Sequence, residues 1–189
     1  ELAYAPGMGI ITMVLLIGIS IALGIGVTRN WLKPSMAIAL FFIYAIVMGF
    51  ALSIIVVFAE FNPSAVYSAA GTAAALFGAM TFVGFTTKMD LSRFGFFLMA
   101  ALFGLIVATL INIFLKSDTF DFIISVAGVL IFTALTAYDT QKIKMMANNP
   151  AIQADGSLAV KVSIIGALEL YLDLINLFLF LLRIFASRD

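Results

Sequence analysis

The fold class of this chain is decided by residues 94–115, which read FGFFLMAALFGLIVATLINIFL. This stretch runs for 22 residues without a charged side chain. The hydrocarbon core of a bilayer is about 30 Å thick, and a helix needs roughly 20 apolar residues to cross it. The stretch therefore predicts a membrane-spanning α-helix.

Five other stretches of similar length and character lie between clusters of charged residues, Pro and Asn. The six predicted spanning helices cover approximately residues 7–28, 35–59, 64–87, 94–115, 122–142 and 158–185. Unpaired backbone groups cannot face lipid, and these segments lack the alternation over about ten residues that is typical of β-barrel strands. We therefore predict an all-α integral membrane protein with a single domain over residues 1–189.

Composition excludes most other classes of protein. Of the 189 residues, 64% are hydrophobic and 11% are charged, and basic and acidic residues balance, so no nucleic-acid partner is expected. The chain has no His and no Cys, so it lacks the commonest general base and the usual thiolate and imidazole metal ligands. We expect no cofactor and no enzymatic activity. An intramembrane hydrolase is the least favoured alternative, because two acids alone do not position a water molecule.

The positions of Lys and Arg indicate an orientation, because cytoplasmic loops of membrane proteins carry more of these residues. Seven of the ten lie on one side of the predicted helices: Arg29, Lys33, Lys88, Arg93, Lys142, Lys144 and Lys161. Lys116, Arg183 and Arg188 lie on the other side. The first side is predicted to be cytoplasmic, so both ends of the chain fall on the non-cytoplasmic side. One more helix before Glu1 would account for this topology, and the short loops favour a bacterial inner membrane.

Three acidic residues fall inside predicted helices, where a charge costs roughly 2.5–3.5 kcal/mol at the membrane centre. Asp139 lies near the end of the fifth predicted helix, and Glu169 and Asp173 share one face of the sixth. Counting from the helix ends places Asp139 within one turn of the cytoplasmic boundary and Asp173 about 7 Å deep. These depths allow Asp139 and Asp173 to meet across the two helices.

Two carboxyl groups at hydrogen-bonding distance in a dry interior cannot both ionise cheaply, so such a pair shares one proton and can act as a proton switch. When the proton leaves, helix separation, a cation or a nearby base such as Arg29 must relieve the repulsion. The same oxygens suit Ca²⁺ as ligands. The structural alternative is that each acid simply hydrogen-bonds a neighbour within the helix packing, the candidates being Tyr138, Tyr171, Asn112 and Asn176.

Three ordered motifs resemble those of one family of membrane proteins. They are TKMDLS at residues 87–92, TAYDTQKI at residues 136–143 and LELYLDLINLFLFLLRIF at residues 168–185. Together they resemble the Bax inhibitor, or transmembrane BAX inhibitor motif, family, and in particular its bacterial YccA-like branch. The resemblance runs from about the second predicted helix to the end of the chain.

This resemblance implies a seven-helix fold, in which the last helix is central and is wrapped by two groups of three. It also implies a pH-sensitive calcium leak, with Asp139 and Asp173 as the pH-sensing pair. In the family an arginine near the cytoplasmic end of the second helix acts as a latch on that pair, and Arg29 is the nearest match. The family's first helix has no counterpart in this chain.

We therefore expect a passive, proton-regulated cation pathway that is closed when Asp139 and Asp173 share a proton. Calcium is the expected permeating or transiently bound ion, and the side chains that could contact it along the path are Glu169, Asn176, Tyr138 and Tyr171. The other expected partners are protons and membrane lipid.

The sequence is also compatible with two other classes of function. One is a regulatory protein that controls a membrane protease or a stress or cell-death response through helix contacts. For such contacts, Ala70, Ala74 and Gly78 form a row of small residues that would let a neighbouring helix approach closely. The other class is a proton-coupled transporter, which would accumulate its substrate against a gradient.

Overall fold

The structure is a computed structural model that describes residues 33–187, except for the side chains of residues 54–61. Helix α1 spans Pro34–Phe61, α2 Pro63–Thr86, α3 Gly95–Leu115, α4 Asp118–Ala147, α5 Pro150–Ala154 and α6 Gly156–Ala186. A single 3-10 turn at Leu91–Phe94 precedes α3. The predicted helix at residues 7–28 and the predicted latch Arg29 lie outside the described residues.

The described residues contain no strand, and all of their helices except α5 are long and apolar enough to cross a membrane. Large apolar side chains stay uncovered on these helices, with Phe96 78% and Phe114 86% exposed. Contiguous apolar surface of this kind is rare on soluble proteins and normal against lipid. The prediction of an all-α membrane protein is confirmed.

Helix α4 is longer than predicted at both ends, since it begins at Asp118 rather than at 122 and ends at Ala147 rather than at 142. Its first turn carries Asp118 and Asp121, which favour the positive end of the helix dipole, and the Ser117 hydroxyl accepts the Phe120 N–H. Charged residues end the part of a helix that lies in lipid, but they do not end the helix itself.

The segment predicted as a loop after residue 147 contains the short helix α5. The Asn149 side chain accepts the Ala151 N–H at 2.9 Å, and Pro150 occupies the first helical position, where its missing N–H has no cost. Asp155 then accepts the N–H groups of Ser157 and Leu158 and starts α6. Local capping therefore orders this segment.

By their contacts the described residues form two compact units. One consists of residues 33–60 and 146–168, where Ile38 and Phe41 of α1 line an apolar groove with side chains of α6. The other consists of residues 61–145 and 169–187. Its core contains side chains from α2, α3, α4 and α6: Ala69, Ala73, Leu105, Ile124, Phe132, Leu135, Leu177 and Leu181. That the chain acts as a single domain stays a prediction.

Within the described residues, the row of small residues on α2 that packs against other helices of this chain differs from the row considered for contacts with a partner. Ala70, Ala74 and Gly78 are exposed, and a Cβ added at Gly78 would meet nothing within 4 Å. The buried row lies one residue earlier, at Ala65, Ala69 and Ala73. A shift of one residue turns a helix by about 100°, so spacing alone cannot identify the buried row.

Candidate functional site

One face of α4 carries the candidate site. Along this helix the buried positions recur every three or four residues, as expected for a helix that buries one face: Ile124, Ser125, Gly128, Phe132, Leu135, Thr136, Thr140 and Gln141. Asp139 lies on the same side, with 13% of its side chain exposed. This face positions the acidic side chain away from lipid.

Two glycines allow α2 and α3 to approach the last turns of α4. A Cβ at Gly84 would collide with the Ala137 carbonyl oxygen and lie 2.9 Å from Thr140 Cβ. A Cβ at Gly95 would lie 2.6 Å from the Tyr138 hydroxyl oxygen. Tyr138, predicted as a residue that contacts a cation, therefore packs against the first residue of α3.

Two polar side chains of α4 form hydrogen bonds to the last turn of α2 and to the segment that connects α2 to α3. Gln141 donates from Nε2 to the Met89 carbonyl and accepts the Leu91 N–H at Oε1, each at 2.7 Å. Lys144 donates to the Phe85 carbonyl at 2.6 Å, and its ammonium lies 5.0 Å from the centre of the Phe85 ring. The end of α4 that carries Asp139 is thereby attached to the segment containing the TKMDLS motif.

Within that motif, Asp90 accepts the Ser92 N–H at 3.0 Å and caps the 3-10 turn. Hydrogen bonds from the Ser92 side chain and backbone lower the pKa of Asp90 below its ordinary value of 3.8. The cap contributes above that ordinary pKa, and it is lost only as the pH falls through the lower, folded-state pKa. Asp90 therefore stays ionised over the range in which a buried carboxyl pair would respond to pH.

Asp139 of α4 meets two acids of α6. Its carboxyl group lies within hydrogen-bonding reach of the Asp173 carboxyl. Lys142, one turn after Asp139, donates to Glu169 Oε1 at 2.6 Å, and its ammonium lies 3.9 Å from Asp139 Oδ1. Three carboxyl groups and one ammonium group thus form a single charged cluster between two helices.

Part of this cluster is buried without hydrogen-bond partners. Asp173 is 4% exposed, and its Oδ2 atom and the Glu169 Oε2 atom are buried without a hydrogen-bond partner. Two carboxyl groups can hydrogen-bond each other only when one of them carries a proton. A direct hydrogen bond between Asp139 and Asp173 would therefore require a shared proton.

The structure brings together Asp139, Asp173 and Glu169, which the sequence had singled out. Sequence reasoning missed the part played by Lys142 and counted it only as a marker of orientation. Its signal was the spacing of three residues after Asp139, which places both side chains on the same side of α4. The roles of these residues in sensing pH stay predictions.

The two candidate asparagines bond groups other than the buried acids. Asn176 donates to the carbonyl of Leu172 on its own helix at 2.8 Å, and Tyr171 is half-buried on α6. Asn112, considered as a structural partner of the buried acids, bonds Asp121 and Ser117 at the other end of α4. Hydrogen bonds from these two asparagines therefore do not account for the Asp139–Asp173 contact.

The donor set does not fit a resident metal ion. Within residues 33–187, no group of three or more Asp, Glu, His or Cys side chains is arranged to hold a metal. Ca²⁺ takes six to eight oxygen ligands, as a typical range, and here the Lys142 ammonium already occupies one carboxylate. The calcium predicted at Asp139 and Asp173 would have to be a transient ion.

These features define a class of protein, an all-helical integral membrane protein with a buried carboxyl pair between two of its helices. The family model described as "Inhibitor of apoptosis-promoting Bax1" matches residues 1–189, so the chain belongs to the Bax inhibitor family.

Relatives occur in distant bacteria. The inner membrane protein YbhL of Escherichia coli K12 is 44% identical over 157 residues, which cover 83% of this chain and 66% of that protein. A protein of Borreliella burgdorferi is 36% identical over 185 residues, covering 98% of this chain and 78% of its own length. A membrane protein of Streptococcus pyogenes serotype M3 is 43% identical over 153 residues, covering 81% and 64%. The match to the E. coli relative thus spans just under two thirds of its length.

Proposed function

We propose that this protein is a passive, pH-regulated cation leak of a bacterial inner membrane, with calcium as the permeating ion. The observation that supports it most directly is the contact between the Asp139 and Asp173 carboxyl groups, which joins α4 to α6 and needs a shared proton. The leak is closed while the proton is shared. It opens when the proton leaves.

When that proton is lost, the repulsion between the two carboxylates is large enough to move helices. Two carboxylates about 4 Å apart repel by about 4 kcal/mol at the effective dielectric of a partly buried site. Reversing a two-state equilibrium from 1:99 to 99:1 takes about 5.5 kcal/mol, which is of the same order. Repulsion between Asp139 and Asp173 can therefore shift most of the population to a state in which α4 and α6 are further apart.

Lys142 limits this repulsion, because among the described residues it is the basic side chain that lies beside these acids. Its ammonium lies 2.6 Å from Glu169 and 3.9 Å from Asp139, so a small movement would transfer it from one acid to the other. In the closed state it neutralises Glu169. In the open state it pairs with Asp139, which leaves Asp173 and Glu169 free to attract a cation.

The proposed orientation rests on the distribution of Lys and Arg, which predicts that the Asp139 end of α4 lies at the cytoplasm and both ends of this chain on the other side. The pair therefore responds to cytoplasmic pH. Oxygen-only side chains favour a hard cation such as Ca²⁺, and the mechanism requires no cofactor.

Calcium flux into liposomes tests the proposal. The purified protein is reconstituted with a calcium indicator inside, and influx is measured between about pH 5 and pH 8, where exposed carboxylates are already ionised. We expect flux to rise with pH. We expect the Asp139→Asn, Asp173→Asn and double variants to lose this response, because Asn keeps the shape of Asp without its titration.

Asp90→Asn is the matched control, because it removes an acid outside the spanning helices and Asn retains the cap. Its pH profile should equal that of the wild type. A double variant with an unchanged pH response would rule out the mechanism. Flux absent at every pH would favour control of a membrane protease or a stress response through helix contacts, and calcium accumulation against a gradient would favour a proton-coupled transporter.

A further inference from the structure

A second polar cluster lies at the opposite end of the same face of α4. Asp121 precedes Asp139 by 18 residues, which is five helical turns and about 27 Å along the axis. Between them, Phe132 stacks on Phe180 of α6 with ring centres 5.9 Å apart. A Cβ at Gly128 would touch the Phe180 ring, so that ring fills the space beside α4. The two polar clusters are therefore separate sites.

This second cluster surrounds a cavity of about 310 Å³ between the start of α4 and the end of α6. The described residues of its lining supply two carboxylates, two hydroxyls, one guanidinium and one aromatic ring, from Asp118, Asp121, Phe122, Ser125, Arg183 and Ser187. The first turn of α4 contributes both acids. Among these described residues, acidic groups therefore outnumber basic ones.

One hydroxyl in the lining, that of Ser125, points to a ligand rather than to a gap in the packing. It is 0% exposed, and its Oγ atom has no hydrogen-bond partner. On the same helix, the Thr136 and Thr140 hydroxyls bond the carbonyls four residues earlier, of Phe132 and Thr136. The Thr133 hydroxyl is also buried without a partner, but it does not line this cavity. An unsatisfied buried hydroxyl costs about 1–3 kcal/mol, and a ligand or water in the cavity would remove that cost.

Arg183 is only loosely attached to its acidic neighbour. Its Nη1 atom lies 3.7 Å from Asp121 Oδ1, beyond a direct hydrogen bond, and the same oxygen accepts Asn112 Nδ2 at 3.4 Å. The guanidinium also lies 5.5 Å from the centre of the Phe180 ring. With 47% of its side chain exposed, Arg183 can leave Asp121 without crossing the interior.

We propose that this cavity is a binding site for a hydrated divalent cation. When no cation is bound, the Arg183 guanidinium lies beside the carboxylates, and a bound cation displaces it. The ligands are the carboxylates of Asp118 and Asp121 and the hydroxyl of Ser125. The cavity has room for about ten water molecules, so the ion keeps much of its hydration shell. An anion is disfavoured, because among the described residues of the lining it would face two carboxylates and one guanidinium.

Binding of Mn²⁺ tests the site without any measurement of flux. The 189-residue chain has no cysteine, so a spin label can be attached at a single introduced Cys. Thr119→Cys places the label on the exposed first turn of α4, beside the cavity, and Asn148→Cys places a control label beyond the other end of α4. In zwitterionic nanodiscs, the spectrum of the label at residue 119 should broaden at a lower Mn²⁺ concentration than the spectrum of the label at residue 148.

Three variants and a control then assign the ligands. Asp121→Asn should weaken Mn²⁺ binding about tenfold, and Arg183→Gln, which removes the competing charge, should tighten it about fivefold. Ser125→Ala should also weaken binding, and this small change keeps the helix. Asp155→Asn, at a helix cap outside the cavity, should leave it unchanged.

Equal broadening at both labels would overturn the proposed site. So would an Mn²⁺ affinity that neither Asp121→Asn nor Arg183→Gln changes. The site is independent of the proposed function, since it requires neither flux nor a pH response. Mn²⁺ binding without calcium flux would therefore support this site while counting against the leak. Calcium flux without local Mn²⁺ binding would support the leak and count against this site.

Discussion

At the scale of single residues, the candidate site depends on side chains that are unpaired or share a partner. Lys142 is shared between Glu169 and Asp139, and one oxygen each of Glu169 and Asp173 is buried with no partner. Gln141, by contrast, uses both its donor and its acceptor on the backbone around Asp90. Fully satisfied groups stabilise one arrangement, whereas incompletely satisfied ones can change partners.

Replacing Lys142 by Gln should shift the pH response of calcium flux. Without the ammonium, a second carboxylate in the cluster is harder to form, so the shared proton is kept to higher pH and the leak opens later. We expect the midpoint of flux to rise by about one pH unit, which corresponds to about 1.4 kcal/mol.

Lys142→Arg is the matched control, because it keeps the charge and should keep the midpoint near that of the wild type. The measurement is the same liposome assay, run as a full pH series for each variant. A midpoint for Lys142→Gln that stays the same or falls would show that Lys142 does not balance the charge of this pair.

At the scale of helices, close approach to α4 decides where the site lies. Gly84 of α2 faces the Ala137 backbone, and Gly95 of α3 faces the Tyr138 ring. The buried alanines of α2 extend the same contact away from the site. Helices that pack this closely leave little room for water beside Asp139.

The variants Gly84→Ala and Gly78→Ala should change stability in opposite directions. The added Cβ at Gly84 would collide with a backbone carbonyl, which cannot rotate away, so we expect a loss of about 1–3 kcal/mol. At Gly78 the same change meets open space, and Ala is favoured over Gly inside a helix by up to about 1 kcal/mol.

Thermal unfolding of the two variants in the same detergent compares them directly. Both make the same chemical change in the same helix, so differences in intrinsic helix propensity cancel. If Gly84→Ala were as stable as Gly78→Ala, the close contact between α2 and α4 would not exist in the protein.

At the scale of the whole molecule, charge is concentrated near helix ends and in the cluster between α4 and α6. Asp118, Asp121 and Arg183 lie at one end of these two helices, and Lys142 and Lys144 follow Asp139 near the other end of α4. The Phe132–Phe180 stack lies between the two polar regions. The aromatic pair therefore separates the two polar regions along α4.

The predicted orientation can be tested in cells with single cysteines. Asn148→Cys lies on the side predicted to be cytoplasmic, and Ser187→Cys lies on the opposite side; both positions are exposed. A membrane-impermeant maleimide applied from outside should label Ser187→Cys only, with Asn148→Cys reacting once the membrane is permeabilised. The reverse pattern would show that the Lys and Arg distribution does not set the orientation.

The sequence by itself determined that this is an all-α membrane protein, that Asp139, Glu169 and Asp173 lie within its helices, and which family it resembles. These properties depend on the length of apolar runs and on motifs, which are local along the chain. Tertiary structure decided which faces meet: it selected Ala69 over Ala70, joined Lys142 to Glu169 27 residues away, and brought Gln141 to Leu91, 50 residues away. The physical reason is that each residue turns a helix by about 100°, so the rotation of each helix, set by the packing of all its neighbours, selects the partners.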